Sequence, residues 1–336
     1  MEILKLINAT VNEFAYNNKI AKSIGKPTLQ TIETTNKCNL ACGMCPRQFM
    51  TRKVGTMNME LFKKIVDEVK HYQNYIILHL MGEPLLDEHL IERINYCEDN
   101  GLHVNISTNG TFLDSINTRK ILESKLSEII LSVDATTKDV YSKIRVKGDF
   151  ETMRENYHNF FRIKNEEYPN SKLKTIIQFI KMNSNIHQVE DFKKEWGPEN
   201  PSELRVKGFS TFADQHKQIT QLAAMKYRYQ PDKVETRPPC FYLWKSMVAL
   251  WDGKVVTCCR DYDGKIVMGD LNKEKLIDIW KSDKLKRIRE EHLKGDFYNG
   301  LCDNCYDTST VVPKMFYPFN SKAFIQAKKK LLSIDN

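Results

Sequence analysis

Three cysteines stand close together early in the chain, in the run Cys38-Asn-Leu-Ala-Cys42-Gly-Met-Cys45. Three thiolates in one short loop can take three corners of a 4Fe–4S cube, which ordinarily has four cysteine ligands. The fourth iron would then be open to a substrate or cofactor. A zinc knuckle completed by a ligand from elsewhere is the other chemistry this spacing permits. A second set lies nearer the C-terminal end: Cys240, Cys258 and the C-x2-C pair Cys302 and Cys305. Four cysteines would complete a cluster with no open iron, or a structural zinc site. Cys258 and Cys259 are adjacent, and neighbouring strand residues face opposite ways, so only one of them is expected to ligate. Cys97, inside the helical run Leu90–Asn100, reads as core.

The elements that position these groups show in the periodicity. Short β-branched runs over Leu29–Thr35, Ile76–Leu80, His103–Ser107, Glu128–Val133, Leu173–Lys181 and Glu203–Lys207 predict six strands. Between them, Met59–His71, Glu88–Asn100, Ser115–Ser124, Phe150–Asn165 and Gln188–Glu195 carry helical spacing. This alternation predicts an α/β fold with a parallel sheet, a partial (β/α)6 TIM-like barrel. Periodicity leaves a flat doubly wound sheet as the alternative. A polar, poorly periodic stretch ending in Arg-Pro-Pro reads as a linker over 214–239. After it, Ser246–Trp251 and Lys254–Thr257, joined through Asp252-Gly253, predict a β-hairpin, and Lys273–Leu293 a helix. The expected division is an N-terminal extension (1–27), a core domain (28–213), the linker, a small α+β domain (240–310) and a tail (311–336).

At 336 residues and 41% apolar content the chain can bury a real core, which sets aside collagen, wholesale disorder and a pure disulfide scaffold. No apolar run is long enough to cross a bilayer, and Met1–Thr10 lacks the features of a signal peptide, so a cytoplasmic location is expected. Nine cysteines in a reducing compartment point to metal rather than disulfides. The net charge of +8 is spread along the chain and mixed with acids, so it reads as solvated surface. A phosphorylated substrate is compatible with it; nucleic acid is not expected.

Four motifs follow one another at the ends of successive strands. The cysteine loop comes after the first, Met81-Gly82-Glu83-Pro84 after the second, Ser107-Thr-Asn109-Gly110 after the third and Ser132-Val-Asp134 after the fourth. Parallel α/β folds build their sites at these ends. Together they resemble the radical S-adenosylmethionine (SAM) superfamily. The resemblance implies that Cys38, Cys42 and Cys45 hold a SAM-binding 4Fe–4S cluster. It implies that Gly82 and Glu83 contact the SAM amino group, and that Ser107, Asn109, Ser132 and Asp134 line its carboxylate and ribose. Met44 stands where the family usually has an aromatic and would pack against adenine. Arg145 would pair with the SAM carboxylate as a two-donor fork, or be an exposed helix-end arginine.

The run Trp251-Asp-Gly-Lys-Val-Val-Thr-Cys258, with Met268-Gly-Asp-Leu271, Ile279-Trp280 and the Cys302/Cys305 knuckle, resembles the C-terminal extension called SPASM, or its one-cluster form called twitch. That implies an auxiliary 4Fe–4S cluster on Cys240, Cys258, Cys302 and Cys305, leaving Cys259 as a candidate hydrogen donor or a spectator thiol. The family resemblance further implies reductive cleavage of SAM to a 5′-deoxyadenosyl radical, hydrogen abstraction from a substrate, and an external one-electron reductant such as flavodoxin or ferredoxin. About thirty residues before the first strand are too few for an independent leader-binding module. This favours a small polar substrate, carbohydrate-like or an aminocyclitol, that is dehydrogenated or epimerised. Peptide or protein maturation is the competing reading. A non-catalytic zinc or iron–sulfur module is a more distant one, with no arginine-rich or aromatic-platform motif to suggest RNA.

Overall fold

The computed structural model describes residues 2–223, 237–297 and 300–305. Six strands appear where alternation places them: β1 (Leu29–Ile32), β2 (Tyr75–Ile77), β3 (His103–Thr108), β4 (Glu128–Ser132), β5 (Lys174–Lys181) and β6 (Glu203–Gly208). All pair in parallel, in the order β6-β5-β4-β3-β2-β1. A doubly wound sheet contains a point at which strand order reverses. None exists here, so that alternative falls away. The sheet also curls. His79, just past β2, and Lys207, on β6, are four strand spacings apart, about 19 Å in a flat sheet. Yet the Lys207 charge acts on His79.

Alternation sorts each strand's side chains. Val104 and Ile106 of β3 turn outward into the main core, whereas Asn105 and Ser107 turn inward. The outer layer consists of α2 (Met59–Val69), α3 (Leu90–Asp99), α4 (Ser115–Glu123), α6 (Phe150–Glu167) and α7 (Val189–Trp196), with the shorter α5 (Lys138–Ile144) before α6. Asn58, Asp114 and Asp149 start α2, α4 and α6 by accepting from backbone amides in the first turn. Phe62 and Val66 of α2, Phe160 of α6 and Trp196 of α7 fill the space between helices and sheet.

Three features depart from sequence expectation. Helix α1 (Glu2–Asn17) forms in the extension because its buried polar side chains find partners: Lys5 Nζ reaches Gly101 O, and Asn12 Nδ2 reaches Lys26 O at 2.9 Å. Tyr16 closes its end against Phe241 and Trp244. The expected Lys273–Leu293 helix is two helices, α10 (Leu276–Lys281) and α11 (Asp283–Leu293). Ser282 between them is extended and caps α11 by accepting from Leu285 N.

Finally, the hairpin strands β7 (Met247–Ala249) and β8 (Lys254–Val256), with β9 (Val267–Asp270), continue the barrel's own sheet. Strand β7 pairs in parallel with β1, Leu29 opposite Met247. This covers an edge whose amides and carbonyls would otherwise be open. Gly253 makes the turn at φ +89°, a conformation that disfavours a side chain.

Of two further short helices, α8 (Lys217–Thr220) forms inside the expected linker and α9 (Tyr242–Lys245) just after it. Half of that linker, 224–236, lies outside the described residues, as do 306–310 and the expected tail, 311–336. Among the described residues no helix is long and apolar enough to cross a membrane.

Candidate active site

Cys38, Cys42 and Cys45 leave the end of β1 in a loop packed against Leu40, Met44, Ile144, Met182 and Phe209. Backbone bonds fix its path: Ala41 N donates to Val146 O at 2.9 Å, Gly43 N to Ile144 O at 3.0 Å and Cys45 N to Cys42 O at 3.0 Å. Burial pushes the Cys45 thiol up to about 12 and the Cys38 thiol up as well, and each feels the Cys42 sulfur. Buried thiols gathered in this way become thiolates on binding metal, the donor set an iron–sulfur cluster needs. Met44 belongs to the same apolar cluster.

The ends of β2, β3 and β4 close around this loop. A Cβ on Gly82 would lie 2.3 Å from Thr35 O and 2.9 Å from Lys37 O, so only glycine allows this approach to the end of β1. Glu83, 2% exposed, accepts from Thr108 Oγ1 at 2.7 Å, Asn109 N at 2.8 Å and Leu85 N at 3.2 Å. Burial raises its pKa, and these donors oppose the rise. In this structure the carboxylate therefore locks the end of β2 to the end of β3. Asn109 Nδ2 donates to Asn39 Oδ1 at 3.0 Å, and the Ser107 and Ser132 hydroxyls lie 3.1 Å apart.

Asp134 sits at φ +62°, accepts from Ile180 N at 2.7 Å, and ion-pairs with Arg145 Nη2. Arg145 is 8% exposed, which overturns its reading as an exposed arginine. Burial works against its charge, but Asp134 and Cys42 outweigh it and keep the guanidinium protonated. Its Nη1 lies 3.9 Å from Cys42 Sγ, and its Nε has no partner.

The second cysteine set also converges. Burial, then the Cys302 and Cys305 sulfurs, push the Cys240 thiol up. Burial, then Cys259, Cys240 and Cys302, push the Cys258 thiol up. Arg237 donates to Asp303 O at 3.0 Å and Cys305 O at 3.2 Å, and Cys240 N donates to His292 Nδ1 at 3.2 Å. Cys259 faces the other way, against Val248, Leu250, Val256 and Leu80, where its sulfur acts on Lys207 and receives a 3.2 Å contact from Arg260 Nη1. Both cysteines lie in the turn that follows β8, and there they divide between the cysteine site and the barrel.

Sequence reasoning did not single out His79, Gln178, Lys207 or Arg260, which face the same interior. The signal was available on β6, where Glu203, Arg205 and Lys207 alternate with Leu204 and Val206.

Residues 32–176 match the radical SAM superfamily, and residues 240–306 match SPASM, an iron-sulfur cluster-binding domain. The chain is a radical SAM protein with a C-terminal SPASM domain. That membership implies a SAM-binding 4Fe–4S cluster, an auxiliary cluster and SAM as cofactors, and sets the zinc readings aside. Radical SAM enzymes also need an external reductant.

An AdoMet-dependent heme synthase of Oleidesulfovibrio alaskensis is 30% identical over 131 residues, 38% of this chain and 34% of that protein. The matched stretch spans about a third of the length of the first curated relatives. Among solved structures, BtrN in complex with AdoMet and 2-DOIA aligns with TM-score 0.55 at 18% identity, covering 84% of this chain and 94% of that one. SuiB of Streptococcus suis bound to the precursor peptide SuiA aligns with TM-score 0.60 at 14% identity, covering 84% and 70%. These likenesses establish the fold.

Proposed function

We propose that this protein removes a hydrogen atom from a small polar substrate, carbohydrate-like or an aminocyclitol, inside the barrel, and so dehydrogenates or epimerises it. The observation that carries this reading is the inner face at the carboxyl ends of the strands. There, beyond the Ser107 and Ser132 hydroxyls that would face SAM, the buried and unpartnered Gln178 Oε1 offers an acceptor suited to the hydroxyl or amino group of a small polar ligand. The BtrN likeness supports it, since that structure holds 2-DOIA.

Cys38, Cys42 and Cys45 would hold the SAM-binding cluster, and Cys240, Cys258, Cys302 and Cys305 the auxiliary one. Bound together and given one electron by the external reductant, that cluster and SAM would supply a 5′-deoxyadenosyl radical and methionine. Gly82, Ser107, Asn109, Ser132 and Asp134 would shape the SAM pocket, with Glu83 setting the relative positions of two of its walls. Arg145, held by Asp134, would offer its remaining N–H groups to the SAM carboxylate, with Met44 at the apolar side. Cys259 distinguishes the two outcomes. In an epimerisation it would give its S–H hydrogen atom to the substrate radical, and the thiyl left behind would be restored by one electron from the external reductant and a proton. In a dehydrogenation the substrate radical would lose a proton and pass its electron to the group held by Cys240, Cys258, Cys302 and Cys305, with Cys259 a bystander.

The SuiB likeness favours a second reading, peptide maturation. Carbon-deuterated sugars and a peptide library, each supplied with SAM and reductant, separate the two. Deuterium moving from a sugar carbon into 5′-deoxyadenosine supports the first reading. Transfer from a peptide and from no sugar overturns it.

A further inference from the structure

The two limbs of the C-terminal cysteine site are held by different means. On one limb, Cys240 N donates to His292 Nδ1 at 3.2 Å, and Leu243 O accepts from Arg289 Nε at 2.8 Å, so α11 fixes the turn that carries Cys240. The other limb is the knuckle from Cys302 to Cys305, closed by Cys305 N donating to Cys302 O at 3.2 Å. More than sixty positions of chain separate the two.

Arg237 joins them. Its guanidinium donates to three carbonyl oxygens of the knuckle: Asp303 O at 3.0 Å, Cys305 O at 3.2 Å and Cys302 O. The guanidinium carbon also lies 4.0 Å from the ring centroid of Phe297, and that ring meets the His292 imidazole edge-on at 4.7 Å. A continuous path of contacts thus runs from the knuckle through Arg237, Phe297 and His292 to the Cys240 amide. A lysine could not reproduce it, because the planar fork of N–H groups is what lets one side chain serve three acceptors and stack on a ring at once.

Charge is the second consequence. Cysteines bind metal as thiolates, so Cys240, Cys258, Cys302 and Cys305 would bring four negative charges, and reduction adds one more. Arg237 sets a permanent positive charge against the backbone of two of these ligands. A cation so placed favours the more negative, reduced state.

We propose that Arg237 is a positioning residue for the Cys302–Cys305 knuckle and that its charge raises the reduction potential of the auxiliary cluster. This rests on the four cysteines holding that cluster. It suits a site that accepts the electron which a substrate radical gives up in a dehydrogenation.

Redox titration of anaerobically reconstituted full-length protein, read by electron paramagnetic resonance, gives the potential of each cluster. The signal lost in Cys258→Ala is the auxiliary one. Iron release to bathophenanthroline disulfonate reads how firmly the knuckle is held. Arg237→Met should cut the reduced-to-oxidised ratio of the auxiliary cluster at a fixed potential roughly tenfold, a fall of about 59 mV, and leave the SAM-binding cluster unmoved. It should also speed iron release. Arg237→Lys keeps the charge and loses the fork, so its ratio should stay within about twofold of wild type while its iron leaves as fast as from Arg237→Met.

An Arg237→Met potential equal to wild type, or an Arg237→Lys potential that falls as far as that of Arg237→Met, overturns the role of charge. Iron release unchanged in both variants overturns the positioning. Should Arg237→Met take up no auxiliary iron, Arg237→Gln, which keeps N–H donors without charge, is titrated in its place with the same expected fall. Failure of the underlying assignment reads separately, as wild type that carries stoichiometric zinc and only about four irons.

Discussion

The Asp134–Arg145 pair offers a sharp energetic test, because Asp134→Asn changes charge and little else. Asparagine tolerates the left-handed backbone that Asp134 adopts at φ +62°. Its side-chain oxygen can keep the 2.7 Å bond from Ile180 N. What disappears is the countercharge to a guanidinium whose side chain is 10% exposed. Removing one partner of a buried pair costs about 3–5 kcal/mol, and the residual exposure of Arg145 puts this case near the lower end. At about 2.1 cal/mol/K of unfolding entropy per residue a chain of 336 residues shifts by about 1.4 °C per kcal/mol, so the apo-protein should lose roughly 4 °C in thermal midpoint, read by far-ultraviolet circular dichroism. The double variant Asp134→Asn/Arg145→Met removes both charges and should recover most of that loss. A midpoint lowered by less than about 2 °C in the single variant, or a double variant whose loss equals the sum of the two singles, would refute the reasoning.

Glu83→Ala should weaken SAM binding at least tenfold by equilibrium titration, because the Thr108 hydroxyl and Asn109 amide lose their buried acceptor at about 1–3 kcal/mol each and the two walls separate. Unchanged affinity with an intact cluster would deny Glu83 this positioning role. Cys258→Ala should lose auxiliary-cluster iron and absorption, whereas Cys259→Ala should keep both, since its sulfur faces Leu80 and Val256. Iron loss in the Cys259 variant instead would reverse the assignment. A Cys259→Ala enzyme that still inverts its substrate's stereocentre would exclude that thiol as the hydrogen donor.

Much of the fold is legible in the residues because alternation and capping act locally. β-Branched runs mark all six barrel strands, and Asn58, Asp114 and Asp149 mark helix starts. What escaped depends on partners distant in sequence. Helix α1 buries Lys5, Asn8 and Asn12, which a periodicity argument assigns to solvent; carbonyls of Lys26 and Gly101 make that burial possible. The addition of β7 to β1 joins residues more than two hundred positions apart, which no local pattern encodes.

The site divides in the same way. Cysteine spacing is covalent and could be read directly, whereas the Asp134–Arg145 pair exists because α5 brings the chain back over the cluster loop. Lys207 carried a readable signal in the alternation of β6, but its approach to His79 emerges only once the sheet curls. The break at Ser282 is a case where a capping residue outweighed continuous helical spacing.

Formation of 5′-deoxyadenosine tests the central claim most directly. Anaerobically reconstituted protein, carrying about eight irons by its three-plus-four cysteine ligands, is mixed with SAM and dithionite, and the nucleoside is quantified by mass spectrometry. The wild type should release 5′-deoxyadenosine. The Cys38→Ala/Cys42→Ala/Cys45→Ala variant should release none, while retaining about four irons on Cys240, Cys258, Cys302 and Cys305. Nucleoside formation that persists in the triple variant, or that is absent from fully loaded wild type, would contradict the account.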